Sequence, residues 1–420
     1  MFLISSAGYL LCLFVVVFTL SKLRLANGLG SPGPYWNIFL FQLPISVLPV
    51  IVFAHGFNNN VRSYYNIIPD SELIVATMWL IYGVILFCFS FVLFEKLFGV
   101  YKSSKVNDQD SLVFISVILT VLVLISIVYL KAGDLPILHL GSSYVNIARK
   151  DIGAYSNYYS SMIQVVSFFG MAYAGSVERN KHCNAKYVMI LFCCVGLLWQ
   201  GSKGPILSGL LTFVFSFYFF HGLRLNFKKI ILIIVFCLIG VWGLYKVTMP
   251  DLSGDELVNR VFGRLLVSQM EGYYRALAFS TPDAKYIANW IPFSGALGFN
   301  EVSFTKQLMI DTYGDSLTSG HMNSFFMQEA WGVIGTLGLI VSPLIVAFSI
   351  TVSLRLIRFS LHRIAGPRFI ISCFYSYLAV VSITGGFAQF PFFRGAIIAI
   401  VYFLTLAIIV RFFSQLFKMR

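Results

Sequence analysis

Two groups of residues in this chain have types and spacing suited to chemistry. Arg260, Arg264, Glu271 and Arg275 fall within about 60° of one another on a helix turning 100° per residue. An arginine fork matches pairs of phosphate oxygens, so such a stripe suits a pyrophosphate clamp; it suits lipid headgroups equally well. Glu271 within the stripe could orient an arginine or simply pair with Arg264 or Arg275. Further along lie His321, Asn323 and Glu329. Histidine exchanges a proton near neutral pH, which is what a general base needs, although an interfacial histidine also serves structure. A carboxylate inside an apolar stretch is expensive, so Glu329 marks a function or a salt bridge to a neighbouring helix.

The elements that must position these groups are membrane helices. Of 420 residues, 58% are hydrophobic and only 11% charged, against about 25% charged in soluble domains. A span needs about 20 mostly apolar residues. Apolar runs fall near 3–20, 36–54, 73–94, 112–130, 158–176, 187–200, 205–221, 229–247, 322–350, 369–385 and 395–413. The expectation is therefore an all-α polytopic membrane protein of about eleven transmembrane helices. Continuous rather than alternating runs exclude a β-barrel. The pair 187–221 breaks at Gly201-Ser202-Lys203-Gly204-Pro205, either between two short helices or in a re-entrant element. The N-terminus reads as a retained span and not a signal peptide.

Basic residues orient the chain. Lys22/Arg24, Lys96/Lys102/Lys105, Arg179/Lys181/Lys186, Arg224/Lys228/Lys229, Arg355/Arg358/Arg363/Arg368 and the tail occupy alternate connections, which places them in the cytoplasm with the C-terminus. The N-terminus, loops 55–72 and 131–157, the Lys203 break, the 250–320 segment and loop 386–394 then face outward. Those connections hold Arg62, Arg149, Lys150, Lys203, Arg260, Arg264, Arg275 and Arg394 where the rule disfavours cations. The net charge of +13 belongs to leaflet-facing loops, and no nucleic-acid partner is expected.

The chain thus divides into N-terminal spans over 1–249, a large outer loop over 250–321 and C-terminal spans over 322–420. Residues 255–279 predict an amphipathic helix at the outer membrane surface, started by Ser253, Asp255 and Glu256. Beyond it, Trp290, Phe293 and Phe299 suit either a sugar-stacking wall or an interfacial belt. The next helix begins near Asn323 or Ser324, with His321 at its mouth and Glu329 about one and a half turns inside the span. Gly332, Gly335 and Gly338 give that span a small face for close packing. Six of the seven cysteines lie in apolar stretches and Cys183 in a short basic loop, so neither a disulfide nor a CxxC metal site is expected. Asp108-Gln109-Asp110 reads as a solvated loop. No metal and no other cofactor is called for.

His321-x-Asn323-x5-Glu329-x2-Gly332-x2-Gly335, the Gly201-Ser202-Lys203-Gly204 element and the layout of spans with one late outer loop resemble the O-antigen polymerase (Wzy) family. Lys203 stands where that family carries arginine, keeping the cation and losing the fork. The resemblance implies a GT-C-like membrane fold in the bacterial inner membrane, with a periplasmic N-terminus and a cytoplasmic C-terminus. It implies polymerisation of undecaprenyl-pyrophosphate-linked oligosaccharide repeat units, with membrane lipids and a chain-length regulator as further partners. His321 and Glu329 would be catalytic. Arg260, Arg264, Arg275, Lys203, Arg394 and Asn323 would bind pyrophosphate or glycan. Two alternatives stay open: a flippase for the same lipid-linked sugar or another polytopic transporter, and an O-antigen ligase.

Overall fold

The computed structural model describes residues 2–27, 33–55, 65, 67–98, 111–139, 145–177, 183–201, 203–223, 227–248, 263, 268–292, 294–299, 302–314, 322 and 324–418. The helices are α1 (Phe2–Asn27), α2 (Gly33–Phe53), α3 (Asp70–Phe98), α4 (Ser111–Ala132), α5 (Val145–Ser176), α6 (Cys183–Leu198), α7 (Lys203–Phe220) and α8 (Phe227–Thr248). They continue as α9 (Glu271–Phe279), α10 (Phe304–Tyr313), α11 (Met327–Ile334), α12 (Thr336–Leu361), α13 (Pro367–Val380) and α14 (Arg394–Lys418). No strand occurs among the described residues.

Six helices, among the described residues, are long and apolar enough to cross a membrane: those containing Ser5–Leu23, Gly33–Phe53, Asp70–Phe98, Leu112–Ala132, Thr336–Leu361 and Pro391–Phe413. Asn184–Leu198 and Gly204–Phe220 are apolar but shorter. The chain is thus an all-α, multi-pass membrane protein. Phe14, Phe236, Phe359 and Phe412 are exposed, as lipid-facing side chains must be when the surrounding solvent is hydrocarbon.

Helix α5 packs against α4, α6, α7 and α13, while α3 packs along α1 and α12. The α5–α7 crossing is close. A Cβ on Gly175 would lie 2.5 Å from the Phe213 carbonyl oxygen, and Ser216 donates to the Ala172 carbonyl at 2.6 Å. Small residues let two backbones approach and gain dispersion contacts where lipid gives no hydrophobic drive. The break expected between α6 and α7 is present as two separate helices, turned at Gly201 with φ 69°.

Two apolar runs are not the regular spans that their composition suggests. In α2, Asn37–Val47 is π-wound around Pro44; proline removes an N–H from the i−4 ladder, and the winding accommodates the gap. The 322–350 run is not one helix. Gly335, at φ 62°, separates α11 from α12, and Gly338 fits where a Cβ would strike the Ala330 carbonyl. Gly335 and Gly338 therefore build a corner, while Gly332 gives a close approach, to Phe304, and Glu329 lies in a short helix ahead of the spanning one.

The 268–314 segment folds back over the end of the bundle at this corner. The described part of the expected surface helix is α9, which is buried through Glu271, Gly272, Tyr273, Tyr274 and Ala276. Tyr273 donates to the Ala76 carbonyl of α3 at 3.0 Å, and Trp331 of α11 donates to the Ala276 carbonyl at 3.1 Å. An amphipathic pattern requires an apolar partner for one face; here protein, and not lipid, supplies it.

Candidate functional site

Glu329 is 3% exposed and takes donors from two other segments. Its Oε2 accepts the backbone N–H of Phe387 at 2.5 Å and of Ala388 at 2.8 Å. Its Oε1 accepts from Asn289 Nδ2 at 3.2 Å. The loop that supplies the N–H groups follows α13 and is itself pinned, with Phe326 N–H donating to the Ile383 carbonyl at 3.0 Å and Ile383 N–H to Gln42 Oε1 at 2.8 Å. Two successive N–H groups converging on one oxygen form a small anion cradle. Burial raises the Glu329 carboxyl above its ordinary value, while the Ala388 and Phe387 N–H groups, Asn289 and the nearby Arg394 charge pull it down.

Arg394, at the start of α14, donates through Nη1 to the Asn289 carbonyl and, at 3.3 Å, to Asn289 Oδ1. A guanidinium has donors only, so it holds the amide oxygen toward itself and turns Nδ2 toward Glu329. Arg394 and Glu329 are thereby joined through Asn289, which lies in the 3-10 segment Ala284–Trp290. Trp290 is not a free wall for sugar: it is 6% exposed and packs edge-on against Phe387 with ring centroids 5.0 Å apart. Phe299 is half exposed, and Phe293 lies outside the described residues.

Arg275 sits in a second feature. Its Nε donates to Glu271 Oε1 at 2.8 Å, with only 13% of its side chain exposed. Tyr313 OH donates to the same oxygen at 2.7 Å, and its ring lies 5.9 Å from the guanidinium carbon. Next to this triad opens a cavity of about 590 Å³ whose lining includes Arg275, Lys285, Gln307, Asp311, Thr312 and Phe279. That size falls within the range of about 300–1,000 Å³ usual for small-molecule sites. Lys285 pairs with Asp283 at 2.8 Å. The hydrogen bonds from Lys285 hold the Asp283 carboxyl below the usual range, and the bond to Asp283 holds the Lys285 ammonium above its own.

Of the residues singled out by sequence, Glu329 and Arg394 come together, and Arg275 lines the cavity on the same folded segment. Arg260, Arg264, His321 and Asn323 lie outside the described residues, as does the side chain of Lys203. Met322 is anchored, its N–H donating to the Thr305 carbonyl at 3.1 Å and its carbonyl accepting from Gln328 at 2.8 Å. Sequence reasoning missed Asn289, Lys285, Gln307, Asp311 and Tyr313, which are ordinary loop and helix polars until folding aims them. The doublet Gly385-Gly386 was the available signal for a close backbone approach, because glycine lets main-chain N–H groups reach a ligand or side chain.

Among the described residues, no group of three or more His, Cys, Asp or Glu side chains is placed to hold a metal ion. No family model matches this chain, no curated protein matches it, and no solved structure matches it.

Proposed function

We propose that this protein is a membrane glycosyltransferase that polymerises undecaprenyl-pyrophosphate-linked oligosaccharide units, an O-antigen polymerase of GT-C-like architecture. In this reading the chain crosses the bacterial inner membrane about eleven times, with its N-terminus periplasmic and its C-terminus cytoplasmic. The observation that carries the reading is the polar cavity formed where the 268–314 segment folds over the end of an otherwise apolar bundle. A lipid-linked glycan presents a polar head at that level while its chain stays in the bilayer.

The reaction needs three things from the chain. The acceptor sugar hydroxyl attacks the anomeric carbon of the donor glycan; the bond from that carbon to the pyrophosphate oxygen breaks, and the pyrophosphate leaves with the electron pair. His321 takes the hydroxyl proton or orients the hydroxyl. Negative charge grows on the leaving group, and preorganised cations stabilise it; Arg260 and Arg264 are the proposed holders, with Lys203 and Arg394 as weaker candidates. Glu329 acts as a positioning group, fixing the 383–390 loop and Asn289 against each other, and Asn323 contacts glycan. Membrane lipids and a chain-length regulator are the proposed partners.

Glycan length in a deletion strain tests this reading. Complementation with wild type should restore a ladder, and His321→Ala, expressed at equal level, should give single repeat units. Unpolymerised units trapped inside would favour a flippase, and long lipid-linked chains left unattached to lipid A would favour a ligase. No glycan change on deletion would remove the reading.

A further inference from the structure

The cavity beside Arg275 offers cations, which suggests a phosphate site, but each cation is already committed. Arg275 is bonded to Glu271, whose carboxylate also receives the Tyr313 hydroxyl. Lys285 is bonded to Asp283. Asp311, also in the lining, accepts from Gln307 Nε2 at 2.8 Å. Both cations of the lining are therefore paired with a carboxylate, Glu271 or Asp283, and the lining carries a further carboxylate of its own, Asp311.

A pyrophosphate entering here would find the charge of Arg275 already balanced by Glu271, in a pair with only 13% and 6% of its side chains exposed; it would gain the remaining guanidinium N–H donors but no uncompensated cation to offset its own desolvation. The incoming anion would also sit against Asp311, a like charge. A sugar meets neither difficulty. Its hydroxyls can donate to Asp311 and accept from Gln307, Lys285 and Arg275 without displacing a charge. Phe279, half exposed at the cavity, gives a flat apolar face to the C–H side of a pyranose ring.

From this balance of charge we infer that the Arg275 cavity takes the uncharged, hydroxyl-rich part of a glycan and not its pyrophosphate. This deepens the glycosyltransferase reading and rests on it. Arg275 then belongs to a sugar subsite, and the leaving group is held elsewhere.

The test uses the full-length protein in phosphatidylcholine nanodiscs and calorimetric titration with two probes. One is inorganic pyrophosphate. The other is the oligosaccharide released by mild acid from the producing strain's own lipid-linked units. The oligosaccharide should bind, and Gln307→Ala, Asp311→Asn and Phe279→Ala should each weaken it roughly three- to tenfold, as loss of a single contact does. Pyrophosphate should not compete. Pyrophosphate binding that Arg275→Gln or Lys285→Gln abolishes would overturn the assignment, as would a failure of the oligosaccharide to bind. Either result leaves the glycosyltransferase reading standing if wild type still restores the ladder in the deletion strain. An unchanged ladder on deletion, with oligosaccharide still bound, would sink the enzymatic reading and leave a sugar-binding site.

Discussion

Gly386 lies against the carboxylate of Glu329: a Cβ built on Gly386 would stand 2.8 Å from Oε2, and the backbone there has φ 101°. The two residues are far apart in sequence and adjacent in space, and the glycine is what lets the Phe387 and Ala388 N–H groups reach the acid.

Gly386→Ala should therefore destabilise the protein for two reasons, the clash and the left-handed φ, by about 2–4 kcal/mol in total. Gly240→Ala, where a Cβ meets nothing within 4 Å, is the control and should be neutral or slightly stabilising. Thermal unfolding midpoints of both variants in detergent measure the difference.

Removing Glu329 should cost about 3–5 kcal/mol as Glu329→Ala, because two N–H groups and the Asn289 amide lose their acceptor at once. Glu329→Gln keeps one acceptor but turns an NH2 toward Asn289 Nδ2 or the backbone donors, and Arg394 opposes the compensating flip of Asn289.

The same pair reads out the charge on Glu329. Burial raises its carboxyl in the folded state, so folding favours the protonated form. The stability of wild type relative to Glu329→Gln should be fullest below the ordinary carboxyl value of about 4.3 and be lost as pH rises through the raised folded value. A series of unfolding midpoints from pH 4 to 8 checks the sign; a wild-type advantage that grows with pH would contradict it.

Thr77 links three segments. Its hydroxyl donates to the Leu73 carbonyl at 2.8 Å, so it must accept from Tyr274 OH at 3.0 Å and from His55 Nε2 at 3.0 Å. Thr77→Val and Tyr274→Phe should each cost about 1 kcal/mol, and the double variant less than their sum because they break a shared bond. Thr77→Ser should restore most of the loss. A double-mutant cycle on unfolding midpoints decides.

Arg394→Ala should release Asn289 and shorten the glycan ladder, at about 1.5–3 kcal/mol for a charged hydrogen bond. Arg394→Lys keeps a cation and loses the rigid guanidinium plane that aims Nη1 at both Asn289 oxygens, so it should recover part of the effect. Ladder length at matched membrane levels is the measurement.

The sequence alone determined the solvent of this protein and the class of its elements. Apolar runs long enough for hydrocarbon leave a backbone that must satisfy its own hydrogen bonds, and helices are the consequence whatever the neighbours are. The break before Lys203 and the need of Glu329 for partners were legible for the same local reason, since glycine with proline interrupts a helix and a carboxylate in an apolar run is anomalous. Tertiary structure alone decided where the 268–314 segment spends its amphipathic face, that Trp290 is core, that Gly335 turns a corner and that Tyr313 reaches Glu271. Those outcomes depend on which surface arrives opposite each residue. Periodicity fixes the direction in which a side chain points along its own helix, and only the packing of distant segments decides what it meets there.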